Sequence, residues 1–262
     1  MVRSPDRPLR KETCILLAGG AGHRLDRIAA GRNKHLLDID GQPALDYVLD
    51  TVLATDSVEK LVVVTRPDSV AEVEKVVARA HEQVRVVVRG QARPAGTLDA
   101  VRTAAPDIEH AVFSVHYGDN LFGWRCLPPL GVALAGDATA CLYTVQATED
   151  WRRYAAVSAV PMNGRGMIAT GLEEKPSWDH PPAVLHSLTG FFRFDAAAFL
   201  REAPRVPMSP RGEFELTDVV RRLLTSGRVR VIQVELPWID FGTEPAFHEA
   251  PTVIEARGLT RA

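Results

Sequence analysis

The 262-residue chain predicts an α/β fold, a mixed but mostly parallel sheet flanked by helices with a more β-rich second half. Three observations carry that prediction. Short apolar runs alternate with helical patterns through the first half, as parallel strands and their crossover helices require. Hydrophobic residues make up 46% of the chain, enough to bury a full core. The stretch LLAGGAGHRL at 16–25 runs an apolar strand straight into a glycine-rich turn that ends on an arginine.

Residues 13–17 (TCILL) read as the first buried strand, short, continuous and bounded by glycine. A helix follows near 44–53, then strand 61–65, a helix from 69 to about 80, strand 84–88 and a helix over 97–105. Strand 111–115 closes this run and delivers Asp119 and Asn120 just beyond its end. Ligands of open α/β sheets sit outside the carboxyl ends of the strands, so the glycine loop and Asp119 are expected on one rim. In the second half, 138–145, 155–160, 167–174 and 185–194 read as strands. Helices at 195–202 and 215–226, strand 229–235 and a helix near 245–257 complete the pattern. The charged, proline-containing start lacks the apolar run of a signal peptide, so a flexible leader is expected over 1–12 and a single domain over 13–262.

A formal net charge of −2 offers no general attraction to nucleic acid or to an anionic membrane, so a basic site has to be local. No stretch approaches a membrane span. Cys14, Cys126 and Cys141 show no spacing that suggests a disulfide framework or a zinc site. A cytoplasmic protein is expected. In a chain that strongly prefers arginine, the only lysines are Lys11, Lys34, Lys60, Lys75 and Lys175. A compact ammonium is not interchangeable with a guanidinium fork at a crowded phosphate.

The glycine loop itself points to phosphate. Gly19, Gly20 and Gly22 leave room for a ligand to touch the main chain, and such a loop presents a row of N–H groups to an anion. Arg24 adds a planar donor fork. A tight strand-to-helix turn without a ligand is the competing explanation. The dinucleotide fingerprint is excluded because Leu25 stands where its third glycine belongs, and the Gly-Lys-Ser/Thr ending of a P-loop is missing.

Further blocks extend the pattern: Lys34 with the apolar residues after it and G-x-P at Gly41–Pro43, then QARPAGT at 91–97 and YGDN at 117–120. EEKP at 173–176, RGEFELTDV at 211–219 and WIDFGT at 238–243 follow. In this order, across nearly the whole chain, they resemble the sugar-1-phosphate nucleotidylyltransferases, most closely the glucose-1-phosphate thymidylyltransferase type. The resemblance implies a Rossmann-like sheet of the nucleotide-diphospho-sugar transferase type. Its nucleotide-binding half would be 13–125 and its β-rich sugar-phosphate-binding half 126–262.

In that reaction a sugar-1-phosphate oxygen, already ionised, attacks the α-phosphorus of a nucleoside triphosphate and pyrophosphate leaves. The obstacles are repulsion between polyanions and the entropy of aligning them, so cations and a rigid platform are needed rather than a general base. By resemblance, Leu17, Ala18, Gly19, Gly20, Gly22 and Arg24 hold the triphosphate, Arg24 steadies the leaving pyrophosphate, and Lys34 offsets charge at the α-phosphate. Asp119 and Asp240 resemble the two metal-binding aspartates, implying Mg²⁺. Asn120, Ala155, Glu174, Lys175, Arg211 and Asp240 fall on the sugar-phosphate side, with Glu213 in the same block as Arg211.

Gln91 and Gly96 resemble the pair that reads the nucleobase, and their spacing favours dTTP or UTP. The implied partners are a nucleoside triphosphate and a sugar-1-phosphate, in a homo-oligomer. His23, His35, Asp38 and Ala155 depart from the family pattern. Ala155 replaces a glycine that usually approaches the sugar, which leaves room for a non-sugar phosphate such as a cyclitol phosphate. A nucleotide-binding regulator without catalysis is the alternative from another class. Retention of both aspartates together with Arg24, Lys34 and Lys175 argues against it.

Overall fold

The computed structural model describes residues 11–20, 23–122, 139–146, 151–161, 167–179, 185–225, 229–233 and 238–256. In the first half, β1 (Glu12–Ala18), α1 (Ala44–Leu53), β2 (Val58–Thr65), α2 (Val70–Val77), β3 (Arg85–Gly90), α3 (Thr97–Ala104) and β4 (Val112–Tyr117) alternate. β1 runs parallel to both β2 and β4, with Leu17 beside Val64 on one side and Tyr117 on the other. β3 adds in parallel to the outer side of β2. A central strand covered on both faces has to be apolar throughout, which is why TCILL shows no alternation.

The chain continues through β5 (Asn120–Phe122), β6 (Thr139–Gln146), β7 (Ala155–Pro161), β8 (Met167–Glu174) and β9 (Leu185–Asp195). It ends through α4 (Ala196–Glu202), α5 (Leu216–Leu224), β10 (Val229–Gln233), β11 (Trp238–Asp240) and α6 (Glu244–Ala256). Among the described residues, one sheet runs in the order β3-β2-β1-β4-β9-β6-β10-β8-β7, and β9 also touches β7. β9 joins the two halves by pairing antiparallel with β4, Phe192 beside Val115 and Phe194 beside Phe113. β10 lies parallel to β6, whereas β8 pairs antiparallel with both β10 and β7.

Alternate residues of the central strands supply two cores. Ile15, Leu17, Val62 and Val64 face α3 and α5 together with Phe113, Phe194 and Phe199. Cys14, Leu16, Leu61 and Val63 face α1 through Leu45, Val48 and Leu49. The first core holds residues of both halves, from Ile15 to Val231.

Most elements fall within a few residues of their expected positions, and the differences have physical reasons. β1 begins at Glu12, inside the stretch expected to be a loose leader. Glu12 is buried, its carboxylate accepting from Arg193 Nε at 2.6 Å and Ser114 Oγ at 3.3 Å. A charged residue at the head of an apolar run hides such a start. β2 is longer than its apolar segment because Glu59 and Lys60 continue the strand, Lys60 pairing with Asp107 and Glu109. The stretch 1–10 and the end of the expected strand 229–235 lie outside the described residues. Among the described residues, no helix is long and apolar enough to cross a membrane.

Candidate active site

The rim of the sheet is built from the ends of β1, β2 and β4. Gly19 leaves β1 against the backbone of Thr65, where a Cβ would stand 3.0 Å from the Thr65 carbonyl carbon. Asn33 braces this corner: its amide nitrogen donates to the Ala18 carbonyl at 2.9 Å and to Thr65 Oγ1 at 3.0 Å. Its oxygen accepts the His35 backbone N–H at 3.1 Å and faces His35 Nδ1 at 2.9 Å, so that ring nitrogen carries the hydrogen. The Asn33 cap starts a short 3-10 turn, Lys34–Leu36, directly beneath Gly20, whose Cβ position lies 3.7 Å from Lys34 Cε. Burial, aided by the Lys34 ammonium, pushes His35 down to about 3, so its imidazole is neutral.

Lys34 Nζ meets Asp119 Oδ2 at 2.5 Å. Burial alone would raise the Asp119 carboxyl, but Lys34 and the Asn120 amide hold it well below the usual range. Gly118 lets Asp119 reach this place: its N–H donates to Leu17 O at 2.9 Å, and a Cβ there would meet that oxygen at 2.7 Å.

A two-stranded ribbon brings up the second aspartate. β5 and β11 pair antiparallel with Asp240 opposite Asn120, and the Phe241 N–H donates to the Asp119 carbonyl at 3.0 Å. Asn120 is consumed in the support: it donates to Asp119 Oδ1 at 2.7 Å and accepts from Trp238 Nε1 at 2.8 Å. The position a Cβ on Gly242 would take lies 2.8 Å from Asp240 Oδ1, 3.0 Å from Asp119 Oδ2 and 3.6 Å from Arg24 Nη2. Both carboxylates and the loop arginine therefore converge on one point. Burial and then the Asp119 charge push the Asp240 carboxyl up, opposed by the Gly242 N–H and by Arg153, whose Nη2 lies 3.4 Å away. Tyr154 also hydrogen-bonds to Asp240.

The residues expected on the sugar-phosphate side lie at and near the end of β8. Glu174 accepts from Thr217 Oγ1 at 2.9 Å and from Arg211 Nη2 at 3.5 Å, while Arg211 also pairs with Glu215 at 2.5 Å. Burial and then Glu215 push the Glu174 carboxyl up. Lys175 turns out of the strand with φ +45°, its backbone N–H on the Tyr154 carbonyl at 3.2 Å and its ammonium half-exposed. Ala155 stands opposite Glu174 in the register, but its methyl is buried in the core with Val157 and Leu172.

Gln91 and Gly96 meet at the other end. Gln91 is buried, and its amide nitrogen donates to Asp99 Oδ2 at 2.8 Å and to the Gly96 carbonyl at 3.3 Å. Gly96 has φ +102° and presses on Phe214, whose backbone oxygen lies 2.5 Å from its Cβ position; only glycine fits. A cavity of about 180 Å³ connects Gln91 and Gly96 with Gly19, Gly20, Lys34 and Asp119. The predicted site residues Leu17, Gly19, Gly20, Lys34, Gln91, Gly96 and Asp119 thus share one cleft. Asp240, from the ribbon, and Arg24, from the loop, approach the same point beside Gly242 as Asp119 does. Gly22 lies outside the described residues.

Sequence reasoning missed Asn33, Asp99, Arg153, Tyr154 and Thr217. Asn33 stands next to Lys34, and Arg153-Tyr154 immediately precedes Ala155, so adjacency to a motif was the available signal. Thr217 carried none beyond lying inside the block at 211–219, and Asp99, two residues past the block at 91–97, carried none.

Three comparisons bear on this geometry. The sequence profile described as nucleotidyl transferase matches residues 13–257. A glucose-1-phosphate thymidylyltransferase of Neisseria gonorrhoeae is 28% identical over 245 residues, covering 92% of this chain and 82% of the relative. A UTP–glucose-1-phosphate uridylyltransferase of Haloferax volcanii is 28% identical over 233 residues, covering 87% and 90%. The fold matches a UDP-glucose pyrophosphorylase solved with UDP-glucose, with a TM-score of 0.82 at 17% identity, over 94% of this chain and 99% of that one.

Proposed function

The chain belongs to the nucleotidyl transferase family, and on that premise we propose that it condenses dTTP or UTP with a sugar-1-phosphate, releasing pyrophosphate and forming a nucleoside-diphosphate sugar. The observation that carries this reading is the convergence of Lys34, Asp119, Asp240 and Arg24 beside a glycine loop, in continuity with Gln91. The relatives named for thymidylyl and uridylyl transfer to glucose-1-phosphate support the choice of substrates.

The Gly19–Gly20 backbone and Arg24 would receive the triphosphate. Lys34, already desolvated, would sit against the α-phosphate, where a preorganised cation acts most strongly as the fifth bond to phosphorus forms. Lys175 and Arg211 would meet the acceptor's phosphate and Glu174 its hydroxyls. No side chain has to remove a proton, because the attacking phosphate oxygen is ionised.

The two carboxylates fit a hard divalent ion such as Mg²⁺. Among the described residues no third acidic, His or Cys group joins them, as suits an ion that completes its shell with phosphate and water. Bound there, the ion would supply charge neutralisation to the phosphates.

The test is pyrophosphate release across five nucleoside triphosphates and several sugar-1-phosphates, with Mg²⁺ and with excess EDTA. Release is expected with dTTP or UTP, only when both substrates and the ion are present. No release in any combination overturns the reaction, and release undiminished by EDTA overturns the metal.

A further inference from the structure

Gln91 is the cleft residue whose hydrogen-bonding direction the protein itself dictates. Its amide nitrogen has two hydrogens, and both are donated within the chain, to Asp99 Oδ2 at 2.8 Å and to Gly96 O at 3.3 Å. Both partners are acceptors without a hydrogen of their own. Turning the amide over would set oxygen against oxygen on two sides, so the orientation is fixed.

The Gly96 carbonyl is also committed, since it accepts the Ala100 N–H at 3.2 Å as the first link of α3. Gly96 cannot shift to release it, being wedged at φ +102° against Phe214. Asp99 sits in the first turn of the same helix, where a carboxylate is favoured by the helix dipole. What Gln91 has left for a ligand is Oε1, an acceptor. Among the described residues no donor faces it.

A uracil or thymine ring offers one donor on its pairing edge, N3–H, flanked by two carbonyl oxygens. A free glutamine could donate to O4 and leave N3–H to the Gly96 carbonyl. Here both of those groups are spent. We infer that Asp99 is a positioning residue for base selection: it fixes Gln91 so that Oε1 accepts the N3–H of the pyrimidine imide, and O4 receives nothing from this side chain. The inference rests on the reading above that the triphosphate is dTTP or UTP.

The test reads the contact to O4, which this arrangement withholds from the Gln91 side chain; any contact from the Gly96 backbone N–H is common to the unmodified enzyme and its variants. Sulfur is a weak acceptor, so 4-thio-UTP and 4-thio-dTTP weaken any contact made to O4 and spare N3–H. The parent-to-thio ratio of kcat/KM in the unmodified enzyme is the reference, and a side-chain amide that also donates to O4 raises it about tenfold.

Asp99→Leu releases one amide hydrogen of Gln91, which is then free to donate to O4. The parent-to-thio ratio is expected to rise about tenfold above that of the unmodified enzyme, with the KM for the sugar phosphate unmoved. Asp99→Asn keeps an acceptor oxygen and is expected to keep the unmodified ratio. A ratio that Asp99→Leu leaves unchanged overturns the inference, and so does an equal rise in Asp99→Asn. Asp99→Ala, which removes the same acceptor, gives the same reading if Asp99→Leu folds poorly. Turnover of neither UTP nor dTTP while another triphosphate reacts overturns the substrate reading instead, and is told apart by the parent triphosphates alone.

Discussion

Lys34 and Asp119, 85 residues apart in the chain, meet at 2.5 Å in a corner where their side chains are only 8% and 15% exposed. A buried ion pair of this kind is weak evidence for stability, because desolvation of both charges offsets much of the attraction. Its placement beside Asp240 and under Gly20 gives it a different meaning. On the proposed reading, its ammonium would meet an incoming phosphate and its carboxylate a cation.

Lys34→Ala is therefore expected to lower kcat by about 100-fold or more, the loss typical of removing one preorganised charge-stabilising group. Nucleotide affinity should change far less. Pyrophosphate release together with calorimetric titration of the nucleotide separates the two effects, and a kcat within a few-fold of the unmodified enzyme would make Lys34 structural.

Ala155 departs from the family pattern, and its methyl lies in the core with Val157 and Leu172. Ala155→Gly should accordingly cost about 0.5–1 kcal/mol of stability through added backbone freedom. The preference among acceptor phosphates should stay put. Denaturant unfolding and an acceptor panel measure both; a changed preference would place the methyl in the acceptor pocket.

Gly118→Ala should be costly out of proportion to its size. The new Cβ would stand 2.7 Å from the Leu17 carbonyl oxygen and 2.9 Å from His35 Cδ2, and the next residue is Asp119. Overpacking of this kind costs about 1–3 kcal/mol. A lowered Tm accompanied by a steeper loss of kcat is expected, since the strain displaces the Lys34–Asp119 pair.

Away from the cleft, hydrogen bonds from Arg89 hold the Asp107 carboxyl below the usual range, against the cost of burial and with help from Lys60. A folded-state value lowered in this way stabilises the protein above the ordinary carboxylate range, near pH 4, and the contribution fades as pH falls through it. Asp107→Asn should thus lower Tm near neutral pH, by about 2–4 °C if the lost contribution is about 1 kcal/mol. The two proteins should converge on acidification. Melting curves from pH 3 to 7 check the sign, and a gap that widens toward acid would contradict it.

Much of the fold was legible because local burial leaves a periodic trace. β1 and α5 fall within a few residues of where the sequence places them, since an apolar strand covered on both faces and an amphipathic helix each write their own pattern. Glu12 escaped because its burial depends on Arg193, far along the chain. The β5–β11 ribbon escaped for another reason: strands of three residues are too short to show any period.

By itself the sequence determined the alternating α/β order, the glycine-rich loop and the chemical types at Lys34, Asp119, Glu174, Lys175 and Asp240, because these are properties of short stretches. Only the tertiary structure decided that Asp119 and Asp240 face one point, through a ribbon whose Trp238 and Asn120 are 118 residues apart. It alone decided that the Gln91 amide nitrogen is spent on Asp99, and that Asn120 supports Asp119 instead of standing free. Convergence and hydrogen-bond direction depend on which distant segments close against each other, and residue order records them only through the packing of the whole chain.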